Sequence, residues 1–312
     1  MEGFQNIVLV THGLENEKDA FQHAVKLATD NRASLTILVI HPIFPTSLKQ
    51  YQPNYERALI DSTNRYLKEA RDILNIPNDA LRVKIELEQG NMPDVRVIRH
   101  VLKQNYDLVI KHAKASEDKG FDALEMELLH KSPSPIFISK PFKHEPSKAR
   151  VAVAIDPNEE TPEGQQLSID LLKISHALAK HFSGELDVIS CWHFAFENYF
   201  RNSVFDKTST NELNEMLQET KNSSKKALDR LLAEVKMDKI NCKTTLLKGR
   251  PEEQIPSYID DQRIDILVMG TLARTGISGF IIGNTAENVL QKIDCSLLAL
   301  KPSGFVSPVK LD

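Results

Sequence analysis

The residues best suited to chemistry lie in one stretch, Asp265-Ile-Leu-Val-Met-Gly270-Thr-Leu-Ala-Arg-Thr-Gly276-Ile-Ser-Gly279-Phe-Ile-Ile-Gly283-Asn284-Thr285. A short apolar strand runs straight into glycines, and Thr285-Ala-Glu-Asn-Val-Leu290 then reads as the start of a helix. Such a junction presents backbone N–H groups and the positive end of a helix to an anion, and a phosphate is the expected guest. Gly270 and Gly283 frame the loop, while Gly276 and Gly279 give it bends that side chains disfavour. Neither the dinucleotide fingerprint nor a lysine-bearing phosphate loop follows a strand here. A second reading stands beside the first. The same glycines would serve turn geometry and close packing in an ordinary strand-to-helix connection of a parallel α/β unit.

The elements that must position this loop recur, because the chain reads as an internal duplication. Ile7-Val-Leu-Val-Thr-His12 answers to Val151-Ala-Val-Ala-Ile-Asp156, and Leu35-Thr-Ile-Leu-Val-Ile-His41 to Leu186-Asp-Val-Ile-Ser-Cys-Trp192. Gln89-Gly90-Asn-Met-Pro93 answers to Lys248-Gly249-Arg-Pro251, and Tyr106-Asp-Leu-Val-Ile-Lys-His112 to Ile264-Asp-Ile-Leu-Val-Met-Gly270. Both units end alike, in Ser132-Pro-Ser-Pro-Ile-Phe-Ile-Ser-Lys-Pro141 and Ile293-Asp-Cys-Ser-Leu-Leu-Ala-Leu-Lys-Pro302. Between these strands, apolar residues fall on one helical face, as at Ala20, Ala24, Leu27 and Ala28, or Leu171, Leu172, Ile174, Ser175 and Leu178. Continuously apolar strands need cover on both faces, so each unit is expected to be a doubly wound α/β sandwich with a parallel sheet. The polar, proline-bearing run from Pro141 to Arg150 suits a short connection, and the boundary is placed near residue 146, giving domains 1–146 and 147–312.

The run Gly-Thr-x-x-Arg-Thr-Gly-Ile-Ser followed by Gly-Asn-Thr-Ala-Glu resembles the nucleotide loop of universal stress proteins, and most closely the tandem, E-type branch. That family spaces its glycines as a first, a second two residues on, and a third nine residues further followed by Ser or Thr. Gly270 and Gly283 fit; Ala273 replaces the second glycine, and Asn284 the hydroxyl residue. The resemblance covers nearly the whole chain. It implies two tandem five-stranded parallel sheets of the adenine nucleotide alpha hydrolase-like type, with strand order 3-2-1-4-5. It also implies an internal pseudo-dimer, often joined through the last strands, with a further oligomer left open.

In open α/β sheets the ligand crevice lies beyond the carboxyl ends of the strands, where strand order reverses. By resemblance, Asp156 meets the adenine or ribose of ATP or another adenine nucleotide, Val268 and Met269 flank the base, and Gly270, Gly283, Asn284 and Thr285 hold the phosphates, with Thr271 and Ala273 in the same loop. For Asp156 the alternative is a turn cap before Pro157. Lys248 or Arg250 would steer a phosphate, or simply be solvated. The first repeat has lost the glycine loop: Ala-Lys-Ala-Ser-Glu-Asp-Lys-Gly-Phe-Asp follows His112, with acids where phosphates would lie. It instead ends three strands in His12, His41 and His112, which adjacent strands about 4.8 Å apart could gather as a metal site; the alternative is three unrelated polar strand ends.

Six of the twenty aromatic residues fall between Trp192 and Phe205, just after a strand end. They would line a cavity for a hydrophobic, lipid-like ligand, or pack the loop onto the helix from Leu213 to Val235 or onto the other domain. No nucleophile elbow, His-Glu-x-x-His, His-x-Gly-His or Lys-Met-Ser-Lys-Ser appears, so no catalytic residue is assigned. Slow ATP hydrolysis and a scaffold that binds nothing small remain the competing classes.

Composition bounds these readings. The 312 residues are 41% apolar and carry 39 basic and 43 acidic side chains, for a net charge of −4. The charges are well mixed, which argues against nucleic acid or an anionic membrane as partner. No leader and no membrane-length apolar run is present, so a soluble, cytoplasmic protein is expected. Cys191, Cys242 and Cys295 fit buried thiols in a reducing compartment.

Overall fold

A computed structural model describes residues 3–13, 16–114, 119–145, 148–182, 184–202, 209–235, 242–271 and 282–311. Strands and helices alternate as the apolar runs demand. The first half comprises β1 (Asn6–Thr11), α1 (Lys18–Asn31), β2 (Ser34–His41), α2 (Gln52–Leu74), β3 (Val83–Gln89), α3 (Pro93–Gln104), β4 (Leu108–His112), α4 (Ala123–Lys131) and β5 (Ile136–Ser139). The second comprises β6 (Arg150–Ala154), α5 (Pro162–His181), β7 (Glu185–Trp192), α6 (Glu197–Asn202), α7 (Thr210–Val235), β8 (Cys242–Lys248), α8 (Pro251–Asp261), β9 (Ile266–Gly270), α9 (Asn284–Leu290) and β10 (Ser296–Leu300).

All ten strands form one sheet, in the order β3-β2-β1-β4-β5-β10-β9-β6-β7-β8. Each half therefore has the order 3-2-1-4-5, with every pairing inside a half parallel. The halves join through their last strands, which run antiparallel with Leu298 opposite Phe137. Two edges that would otherwise invite foreign strands are thereby paired with each other. The antiparallel junction also turns one half end for end, so the carboxyl ends of β1 to β5 and of β6 to β10 lie at opposite rims of the sheet.

Alternate residues of each strand feed two apolar layers. On one face Ile7, Leu9, Ile37, Leu108 and Phe137 pack beneath α1 and α2, in one cluster with Val151, Val153, Val188 and Val268 beneath α5 and α7. On the other, Val8, Val10, Val109 and Ile138 meet α3 and α4, in one cluster with Ala152, Leu267, Met269 and Leu297 beneath α8 and α9. Each layer thus runs through both halves. The connection between the halves is tied at its root by the buried carboxylate of Asp265, which accepts from the backbone N–H of Lys143 (2.6 Å), His144 (3.2 Å) and Arg150 (2.8 Å).

Candidate ligand site where β6 meets β9

Strand order reverses in the second half between β6 and β9, and the register there sets Ala154 beside Met269. Asp156 follows two residues beyond Ala154 and Gly270 one beyond Met269, so both stand at the same rim of the sheet. Asp156 is half-buried, and its Oδ1 accepts from the N–H of Asn158 at 3.0 Å. The carboxylate thus caps the turn, as the local alternative proposed, from the rim where a ligand would sit. Burial, with help from Glu252 and Asp156, pushes the Cys191 thiol up to about 12, so the sulfur stays neutral. Burial likewise lifts Cys242, and takes Cys295 to about 12, which makes the three thiols poor nucleophiles at neutral pH.

The two residues expected to flank a base have buried side chains. Val268 is fully buried in the sheet core and Met269 is 6% exposed. Thr271 is also turned inward: its N–H and its hydroxyl both donate to the Leu300 carbonyl, at 3.0 and 3.3 Å. Gly270 stands where helix and strand approach closely, the packing role that the second reading of the loop gave its glycines. A Cβ there would come within 2.7 Å of Leu167 Cδ2 on α5, so any side chain at this strand end would require the tip of Leu167 to move aside. Gly283 is the N-cap of α9 with φ −60°, a conformation open to any residue, and it supplies no side-chain cap. Asn284 and Thr285 follow as exposed first-turn residues whose N–H groups have no intrahelical acceptor. Ala273, with the rest of 272–281, lies outside the described residues.

Lys248 is already committed, since its Nζ donates to Glu197 Oε1 at 2.8 Å and lies 5.7 Å from the Trp192 ring. Hydrogen bonds from Lys248 and Arg201 hold the Glu197 carboxyl below its ordinary range. Trp192 packs with Leu213 and Leu217 of α7, joined by Phe194 and Phe200, so this much of the aromatic run serves the loop-on-helix reading. Phe196 and Tyr199 are 61% and 52% exposed. Phe205 lies outside the described residues.

The three strand-end histidines of the first half, His12, His41 and His112, go separate ways. The His12 ring lies 3.3 Å from the Ile40 carbonyl. His41 places Nδ1 3.0 Å from the Pro42 carbonyl and Nε2 3.6 Å from Glu56, between Phe44 and Tyr55. His112 is buried under α1 near His23. Among the described residues no group of three His, Cys, Asp or Glu side chains is arranged to hold a metal. What the sequence reading missed is a buried polar cluster at this rim. The Thr11 hydroxyl donates to Glu17 and accepts from the Gly13 N–H at 2.8 Å, and His23 Nδ1 lies 2.8 Å from Ser139 Oγ. The signal was a set of polar residues at strand ends, Thr11, His112 and Ser139, where the second repeat has Ile155, Gly270 and Leu300.

Residues 149–301 match the family model of the Universal stress protein family. Universal stress protein E of Photorhabdus laumondii is 26% identical over 99% of both chains. Two solved structures share the fold across the chain. A protein of unknown function from Pseudomonas aeruginosa PAO1 has a TM-score of 0.71 at 20% identity, covering 97% of this chain and 95% of its own. A universal stress protein from Archaeoglobus fulgidus has 0.63 at 16% identity, covering 97% and 98%. With β1 to β5 and β6 to β10 repeating one topology, and with a relative aligned end to end, this chain belongs to the universal stress protein family in its tandem, E-type form.

Proposed function

We propose that this is a cytoplasmic stress-response protein of two universal-stress domains, 1–146 and 147–312, packed as an internal pseudo-dimer, whose second domain binds an adenine nucleotide without turning it over. The observation that supports this most is the meeting of Asp156 and Gly270 at neighbouring strand ends where strand order reverses, with the first turn of α9 close in sequence to the same loop. Val268, Met269 and Thr271 would act through their backbone, Gly283, Asn284 and Thr285 through first-turn amides, and Ala273 through its place in the loop. Adenine would rest against the strand ends and the phosphates against the loop.

Calorimetric titration with ATP, ADP and AMP tests the reading. A dissociation constant below about 100 μM, worth more than about 5 kcal/mol, supports it and contradicts a scaffold that binds nothing small. Ala273→Gly and Asn284→Ser, each restoring the family residue, should tighten ATP by about 1 kcal/mol or less. Equal affinity in the original, both single variants and the double, with folding intact by circular dichroism, would exclude the loop as a phosphate site. ADP released above a matched blank would convert the binding protein into a slow ATPase. The exposed rings of Phe196 and Tyr199 favour one second reading, a hydrophobic ligand at that surface. Mass spectrometry of small molecules released on denaturation separates the two, since one predicts a nucleotide and the other a lipid.

A further inference from the structure

Both halves end their last strand in Lys-Pro, Lys140-Pro141 after β5 and Lys301-Pro302 after β10. The antiparallel junction relates these lysines to one another, and equivalent surroundings would be expected. They differ in charge. Lys140 Nζ lies 3.0 Å from Asp294 Oδ1, and that hydrogen bond holds the Asp294 carboxyl below its ordinary range. In the repeat alignment the partner of Asp294 is Pro133, which offers no carboxylate. Among the described residues Lys301 has no acidic partner. Its Nζ lies 4.2 Å from the centre of the Phe305 ring, and the residue is half-buried.

Lys301 is also the root of a strap. The following segment leaves the second half and lies on the first, where Ser307 Oγ donates to the Lys131 carbonyl at 2.7 Å. Arg99 Nε donates to the Lys310 carbonyl at 3.1 Å, and Val309 packs into the layer over α3 and α4. The contact between Lys301 and Phe305 is the first hold on that strap.

We propose that Lys301 is an acylation site for small acyl phosphates, and that its acylation loosens the strap at 305–311. An amine removed from water without a counter-anion favours its neutral, nucleophilic form, and burial takes Lys301 down to about 8. The neutral Nζ attacks the acyl carbonyl; an N–C bond forms as the bond from that carbon to the bridging oxygen breaks. Phosphate leaves with the bonding pair and takes up the amine proton. The product is a neutral amide, which has lost the charge that held the Phe305 ring.

The test uses the full chain with acetyl phosphate and follows each lysine by peptide mass spectrometry. At pH 7.5 Lys301 should react on the order of tenfold faster than Lys140 and faster than the exposed Lys225 and Lys226. Its rate should level off above about pH 8. Hydrogen exchange in 305–311 should quicken after modification and in Lys301→Gln, but not in Lys301→Arg. A Lys301 rate no greater than that of Lys140, or strap exchange unchanged by acylation, would overturn the proposal.

Discussion

His112 and Gly270 occupy matching ends of β4 and β9, and what surrounds them shows how one topology carries two different rims. In the first half the imidazole of His112 lies under α1 with Thr11, Glu17, His23 and Ser139, all buried. In the second, the Leu167 and Leu171 side chains of α5 come down onto the strand end at Gly270. A buried polar group costs on the order of 1–3 kcal/mol unless it is hydrogen-bonded, so the first rim is held by specific partners such as Thr11 with Glu17 and His23 with Ser139. The second is held by close apolar packing. The same sheet therefore tolerates either solution, but the two should fail under different stresses.

Acid should break the first rim most. His23 is stacked on Phe142 at 4.2 Å and edged by Phe137 and Phe182; burial, then the nearby His181 and His112, lowers its pKa to about 3. His181 sits 2.9 Å from Asp30, which favours its charged form, yet burial prevails and its pKa falls to about 4. That contact is best described as a neutral ring hydrogen-bonded to a carboxylate. Both folded values lie below the unfolded value of about 6.5. The stabilising contribution is then complete above about pH 6.5 and is lost as pH falls toward the folded values. For His23 the loss by pH 4 is on the order of 3 kcal/mol. Urea unfolding at pH 7, 5.5 and 4 should show a steep fall for the original chain and a shallower one for His23→Phe; parallel falls would remove His23 as the cause.

Sterics should break the second rim. Gly270→Val would drive a branched side chain into Leu167 and cost about 2 kcal/mol, read as a lower urea midpoint at pH 7 with an unchanged slope. The reciprocal change, His112→Gly, opens space under α1 and should not reproduce that clash.

Helix caps give the smallest effect. In α4, Asp122 accepts from the Glu125 N–H at 2.9 Å and Glu125 accepts from the Asp122 N–H at 2.8 Å, a complete capping box. Glu125 is buried, and burial raises its pKa. Asp122→Ala should cost about 1 kcal/mol. The matching helix α9 starts at Gly283 with no side-chain cap. Gly283→Asp should gain a few tenths of a kcal/mol in stability by thermal unfolding, while weakening ATP if phosphates rest at that turn. A gain in stability with ATP affinity unchanged would detach the nucleotide from α9.

Much of this was legible in the residues. Apolar runs such as Ile7 to Val10 and Ile266 to Met269 dictate strands buried on both faces, because nothing else hides four successive apolar side chains in an extended chain. Repetition of those runs dictated the duplication, and the loss of glycines after His112 marked the first rim as different. The apolar strand leading into Gly270 and Gly283 marked the candidate loop. Local pattern carries such information because side-chain period and backbone freedom are properties of neighbouring residues.

Tertiary structure decided the rest. That Gly270 makes room for Leu167, more than one hundred residues away in sequence, depends on how a helix crosses a strand end. That His12, His41 and His112 do not converge depends on which face each ring turns to and which partner each finds, as with His41 beside Glu56. That Lys140 has a carboxylate and Lys301 does not follows from an antiparallel seam joining segments far apart in the chain. Contacts across such distances are set by packing of the whole sheet, and no local spacing encodes them.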